Sequence, residues 1–133
     1  MTDKTSEDKQ LIESSLTNRA NRLYENEVNV GVIDYAEAGA VFLDISGDLV
    51  RLYIKINAEI VEDAKFLCYG RQGSISAMSA MTILLKGKTL SQAKELTEHD
   101  ILKEIEVLPK DCAELPIKTL RKAIEEYEKS KIR

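Results

Sequence analysis

Tryptophan is absent from the 133 residues, and proline, cysteine and histidine are scarce, at two, two and one. Each scarcity excludes something. Two cysteines, Cys68 and Cys112, are too few for a disulfide framework. In a reducing compartment they are free thiols, a redox pair or metal ligands. A single histidine, His99, supplies no Ser/His/Asp triad and reads as a solvated residue beside Asp100. The six glycines form no phosphate cradle, because GRQG at 70–73 lacks the lysine and spacing of a Walker loop. No apolar run approaches the ~20 residues of a membrane span. The opening MTDKTSEDKQ lacks the apolar core of a secretory signal, so a cytoplasmic location and no membrane partner are expected. A net charge of −4 leaves no basic footprint for nucleic acid. Lys118–Lys122 and Lys129–Arg133 read as a solvated helix face and tail.

What remains is an ordinary globular balance, 44% hydrophobic and 32% charged. With no linker and no internal repeat, residues 1–133 read as one domain, with a disordered tail over about 1–8. Leu11, Ile12, Leu16 and Leu23 recur at helical spacing. Val30, Val32 and Asp34 then read as the start of a strand, Glu37–Gly39 as a turn, and Val41–Ile45 as a resumed strand. Ser46-Gly47-Asp48 is a turn. Leu49–Ile56 alternates, with Val50, Leu52, Ile54 and Ile56 on one face and Arg51 and Lys55 on the other. Ile60–Tyr69 follows, with Ala64, Phe66 and Cys68 sharing a face.

From Ser74 the period becomes helical. Ile75, Met78, Met81, Thr82 and Leu85 form an apolar stripe that Gly87 ends, and both methionines read as core. Thr89 caps a short helix. Thr97 with Asp100 resembles a capping box for a helix carrying Ile101, Leu102 and Ile105. Leu108-Pro109 breaks the chain, and Ile117, Leu120, Ile124 and Tyr127 mark a last helix. One helix, a run of strands and then several helices predict an α+β domain, with an antiparallel sheet of about three strands covered by helices on one side.

The order of motifs resembles the IscU/NifU N-terminal family of iron–sulfur scaffolds, from about Asn29 to Tyr127. The matching pieces are Asn29-Val30-Gly31, Ser46-Gly47-Asp48 before an alternating strand, IVEDAKF at 60–66, Tyr69-Gly70, SISAMSAM in the following helix, KGKTL at 86–90, Thr97–Ile101, Leu108-Pro109, and Cys112 ahead of Tyr127. The resemblance implies the IscU/SufE-like fold, three cysteine ligands plus a fourth, and an aspartate that tunes cluster lability. It places the first cysteine at Ser46, the aspartate at Asp48, the second cysteine at Arg71, and the third at Cys112, preceded here by Asp111. The family's chaperone-recognition stretch is shortened to Leu108-Pro109-Lys110.

The ligand set is therefore degenerate, since a [2Fe–2S] cluster takes four protein ligands, mostly cysteine. Cys112, Asp48 and Asp111 are the candidate ligands for a cluster, iron or zinc, with Ser46 a poor fourth. Arg71 sets a positive charge where a metal would sit, and it pairs readily with Asp48 or Asp111. Two outcomes stay open: a salt bridge closes the site, or a residual metal site survives. Cys112 is either a reactive sulfur acceptor, favoured by a helix N-terminus and Arg71 and opposed by Asp111, or an inert thiol. Cys68 reads as a buried strand thiol. The function implied is a non-enzymatic member of iron–sulfur cluster assembly, a scaffold or an iron- or sulfur-binding accessory. A cysteine desulfurase and other assembly proteins are its partners, and a homo-oligomer is allowed. The alternatives are a SufE-like single-cysteine sulfur acceptor and a pseudo-scaffold that binds a desulfurase without chemistry.

Overall fold

The structure is a computed structural model that describes residues 4–107 and 109–132, with side chains described from residue 15 onward. Its elements run α1 (Lys4–Glu25), β1 (Ala38–Leu43), β2 (Leu49–Asn57), β3 (Ile60–Tyr69), α2 (Gln72–Leu85), α3 (Leu90–Lys94), α4 (Glu98–Glu104), a 3₁₀ turn (Lys110–Ala113) and α5 (Glu114–Lys131). The strands form one antiparallel sheet in the order β1-β2-β3. This is the expected α+β architecture. α1 begins at Lys4, inside the stretch expected as a tail. Leu11 and Ile12 fall within α1, but their side chains are not among those described, and the breaker Leu108 lies outside the described residues.

Alternation in β2 sets the layering. Val50, Leu52, Ile54 and Ile56 are buried, and Ala64 and Phe66 of β3 join them on the same face. Leu52 lies opposite Phe66, and Ile54 opposite Ala64. The parity breaks at one place. Between Lys55 and Ile56 the register shifts, Ile56 pairs with Val61, and Val61 turns inward. A bulge of this kind reverses the facing of the residues beyond it, which strict alternation does not anticipate.

The stretch before β1 corrects the expected strand and turn. Val30 makes only an isolated parallel bridge to Phe66, and Asn29 and Tyr35 hold positive φ values of 61° and 59°. Left-handed residues interrupt an extended strand. The predicted turn at Glu37–Gly39 is instead the start of β1, where Gly39 is needed because a Cβ there would stand 2.6 Å from the Leu52 carbonyl oxygen.

α2 is the centre of the helical layer, in contact with α1, β3, α5 and the 3₁₀ turn. That position changes the expected stripe. Met78, Met81, Thr82 and Leu85 are buried as predicted, but so are Ser74, Ser76 and Ser79, whereas Ile75 is only half-buried. The serines are tolerated because each hydroxyl finds an acceptor: Ser76 donates to the Ala20 carbonyl and Ser79 to the Val28 carbonyl, both at 2.8 Å. Small polar residues let α1 approach α2 closely. The capping expectations hold. Gln92 N donates to Thr89 Oγ1 at 3.1 Å, and Thr97 N donates to Asp100 Oδ2 at 2.8 Å.

Phe66 is fully buried between the sheet and α2. Phe66→Ala should lower unfolding stability by about 3–4 kcal/mol, measured by urea denaturation. A loss under about 1 kcal/mol would show that this contact layer is not the core.

Candidate functional site

The site forms at the end of the sheet where the β1–β2 hairpin turns. Asp44 N donates to the Asp48 carbonyl at 2.8 Å, and Gly47 N donates to the Asp44 carbonyl at 2.9 Å. Gly47 sits at φ +92°, a conformation that favours glycine. Ile45 N donates to Asp44 Oδ1 at 2.7 Å and fixes that side chain. The turn leaves Asp48 with the parity of Val50, so its carboxylate points under the sheet, where it is 2% exposed.

Five contacts meet this buried carboxylate. The end of β3 passes close enough that a Cβ on Gly70 would stand 2.2 Å from Asp48 Oδ1. Only glycine allows the approach. Arg71 N then donates to Asp48 Oδ1 at 2.9 Å. Arg71 Nε and Nη2 donate to Asp48 Oδ2 at 2.9 and 2.8 Å, and Ser74 Oγ donates to the same oxygen at 2.6 Å. The guanidinium extends further. Nη1 reaches Asp111 Oδ1 at 3.3 Å, and Nη2 lies 3.8 Å from Asp44 Oδ2. Ser46 Oγ donates to Asp111 Oδ2 at 3.4 Å.

Ser46, Asp48, Arg71 and Asp111 are thus brought together, as expected. The salt bridge anticipated with Asp48 or Asp111 forms with both. Asp44 was not singled out in the sequence, and Gly70 and Ser74 entered only as part of the Tyr69-Gly70 motif and as the start of a helix. The available signals were weak: Asp44 faces Asp48 across a short turn, and Ser74 follows Arg71 by three residues in the first turn of α2. Cys112 follows Asp111 in the 3₁₀ turn and is fully buried. Cys68, opposite Val50, is half-buried on the inner face. His99 is exposed, as expected.

Electrostatics follow the geometry. Burial alone would push the Asp48 carboxyl up, but hydrogen bonds from the Arg71 side chain, Ser74 and the Arg71 amide outweigh it and hold the group below the usual aspartate value. The Arg71 guanidinium is held even more firmly protonated, chiefly by Asp48 and, against some burial, by Asp111. Burial, reinforced by the negative charge of Asp48, pushes the Cys68 thiol up to about 12. Cys68 is therefore protonated at neutral pH and a poor nucleophile or ligand.

A three-stranded sheet covered on one side thus carries, at its loop end, a site gathered from three separate segments. The family model described as "NifU-like N terminal domain" matches residues 16–133. The chain is 37% identical over 111 residues to the iron-sulfur cluster assembly scaffold protein IscU of Escherichia coli (strain K12), covering 78% of this chain and 87% of that protein. It is 35% identical over 108 residues to IscU 1 of Archaeoglobus fulgidus, covering 78% and 71%. A solved structure described as a putative scaffold for the SUF system, from Fervidobacterium islandicum, shares the fold at TM-score 0.69 and 23% identity over 81% of this chain and 95% of its own. The chain belongs to the NifU-like N-terminal domain family, with IscU scaffolds among its relatives.

The cluster implied by that family does not fit the residues present. Asp48 Oδ2 already accepts from three donors and Oδ1 from one, and the carboxylate's charge is taken up by the Arg71 guanidinium. The guanidinium fills the space between Asp48 and Asp111. Among the described residues, no group of three or more His, Cys, Asp or Glu is arranged to hold a metal ion. Clusters and structural zinc require about four such donors.

The ion pair sets an acid limit. Because the folded carboxyl of Asp48 titrates below its unfolded value near 3.8, its stabilisation is complete above that pH and is lost as pH falls through the folded value. Asp48→Asn should cost about 2–3 kcal/mol at pH 7, less than a fully buried pair because Arg71 is 31% exposed. Urea titrations of wild type and variant should converge as pH is lowered below about 4. A gap that persists unchanged at pH 3 would contradict the pairing.

Proposed function

We propose that this chain serves iron–sulfur cluster assembly, in the cytoplasm, as a scaffold-like binding partner of a cysteine desulfurase and other assembly proteins, without holding a cluster and without turnover of its own. The observation that carries this reading is the Arg71 guanidinium lying between Asp48 and Asp111 at 2.8–3.3 Å. A fixed cation there repels iron, by ~4 kcal/mol for unit charges 4 Å apart at an effective dielectric of 20. Two of the three thiolates that the family resemblance implies are replaced, by Ser46 and Arg71. The third, Cys112, lies in the core. Its burial also weighs against a sulfur-acceptor role, because a persulfide sulfur would have to reach a thiol with no solvent exposure.

Anaerobic incubation with iron and sulfide tests the reading. Wild type should remain colourless, with little bound iron. The double variant Ser46→Cys, Arg71→Cys should gain charge-transfer absorption, since it restores three thiolates with Cys112. Both should co-elute with a cysteine desulfurase. Absorption in wild type that Cys112→Ser abolishes would overturn the absence of a cluster, and failure of wild type to bind a desulfurase would overturn the partner role.

A further inference from the structure

We propose that Arg71 is a resident cation that orders the loop end of this domain, so that three chain segments stay assembled whatever the metal supply. This goes beyond the partner role above and does not depend on it. The first segment is the hairpin turn with Asp44 and Asp48. The second is the loop from β3 into α2, which carries Arg71 itself. The third is the 3₁₀ turn with Asp111. Arg71 reaches Asp48 across 23 positions of sequence and Asp111 across 40.

Besides the β2–β3 pairing of Leu49 with Tyr69 and the packing of α2 on the 3₁₀ turn, the remaining hydrogen bonds between these segments are few. Ser74 ties the start of α2 to Asp48 at 2.6 Å, and the Arg71 amide does the same at 2.9 Å. Between the hairpin turn and the 3₁₀ turn, the one side-chain hydrogen bond among the described residues that does not run through Arg71 is Ser46 Oγ to Asp111, at 3.4 Å. All the ion pairs that Asp44, Asp48 and Asp111 make among the described residues are with Arg71. Without it, the carboxylates of Asp44, Asp48 and Asp111 would lose the cation they share, and the buried one, Asp48, would favour protonation or separation from the others. A divalent ion could neutralise such a set in solution, but only while supplied. A guanidinium attached to the chain is present in every folded molecule, and its planar fork matches two carboxylates at once. The tie therefore makes the order of these loops a property of the sequence rather than of the metal content.

Hydrogen exchange of the full chain near neutral pH tests this, in EDTA and with added Zn²⁺. In wild type, protection at residues 44–48, 70–74 and 110–113 should be the same in both. Arg71→Met keeps much of the side-chain volume and removes the charge. It should lose roughly tenfold or more protection in all three segments, the scale of charge-assisted hydrogen bonds, while the centres of β2 and α2 keep theirs. If that variant does not fold, Asp111→Asn supplies a milder cut, since the Asp111 side chain is 41% exposed. It should loosen 110–113 and leave 70–74 protected. Wild-type protection that falls in EDTA or rises in Zn²⁺, or an Arg71→Met (or, if that does not fold, Asp111→Asn) exchange pattern identical to wild type, would overturn the proposal. No assembly protein is present in the experiment, so its outcome is independent of desulfurase binding.

Discussion

Asp48 is a carboxylate held beneath a sheet, and its charge has to be neutralised where it sits. Much of the loop end follows from that constraint. A buried carboxylate without partners costs several kcal/mol or takes up a proton. Here the hairpin turn aims it inward, Gly70 leaves it room, Ser74 and the Arg71 amide give it neutral donors, and the Arg71 guanidinium supplies the charge. The site is thus a closed ion-pair network rather than an open pocket. Its outer arm, Asp111, remains in contact with solvent and contributes less than the inner one.

The centre of the site is the Arg71 guanidinium, and the nearby carboxylates of Asp44, Asp48 and Asp111 turn toward it. Cys112 lies in the core, and Cys68 is held protonated. The helical layer and the sheet are built from Val50, Leu52, Phe66, Met78, Met81 and Leu120, whose side chains make no hydrogen bond or ion pair in the network. Fold and site chemistry have separate determinants here.

The same separation governs how legible the molecule was in its sequence. Long periodic elements were readable, since alternation in β2 and helical spacing in α5 report burial directly. Caps at Thr89 and Thr97 were readable because side-chain oxygens satisfy specific amides. The stretch from Val30 to Gly39 was not. Its valines suggest a strand, but left-handed residues at Asn29 and Tyr35 follow from loop packing that no short window encodes. The inward turn of Val61 depends on a register shift between two strands. In α2, Ile75 was overvalued and the serines undervalued, because a helix packed on several sides has no single apolar stripe. At the site, the pairing of Arg71 with Asp48 and Asp111 followed from charge and motif order. The part played by Asp44 required the turn geometry, and that of Gly70 required the distance between two chain segments.

A double-mutant cycle on Arg71→Met and Asp48→Asn is the most direct test of the closed network. Urea unfolding of wild type, both single variants and the double variant at pH 7 gives the coupling between the two side chains. The account predicts a coupling of about 2 kcal/mol or more, because each single variant strands the partner of a buried charge and the double variant removes both. Additive losses, equal within about 0.5 kcal/mol to the sum of the single variants, would mean that the guanidinium and the carboxylate do not hold each other. The loop end would then owe its order to something other than this pair.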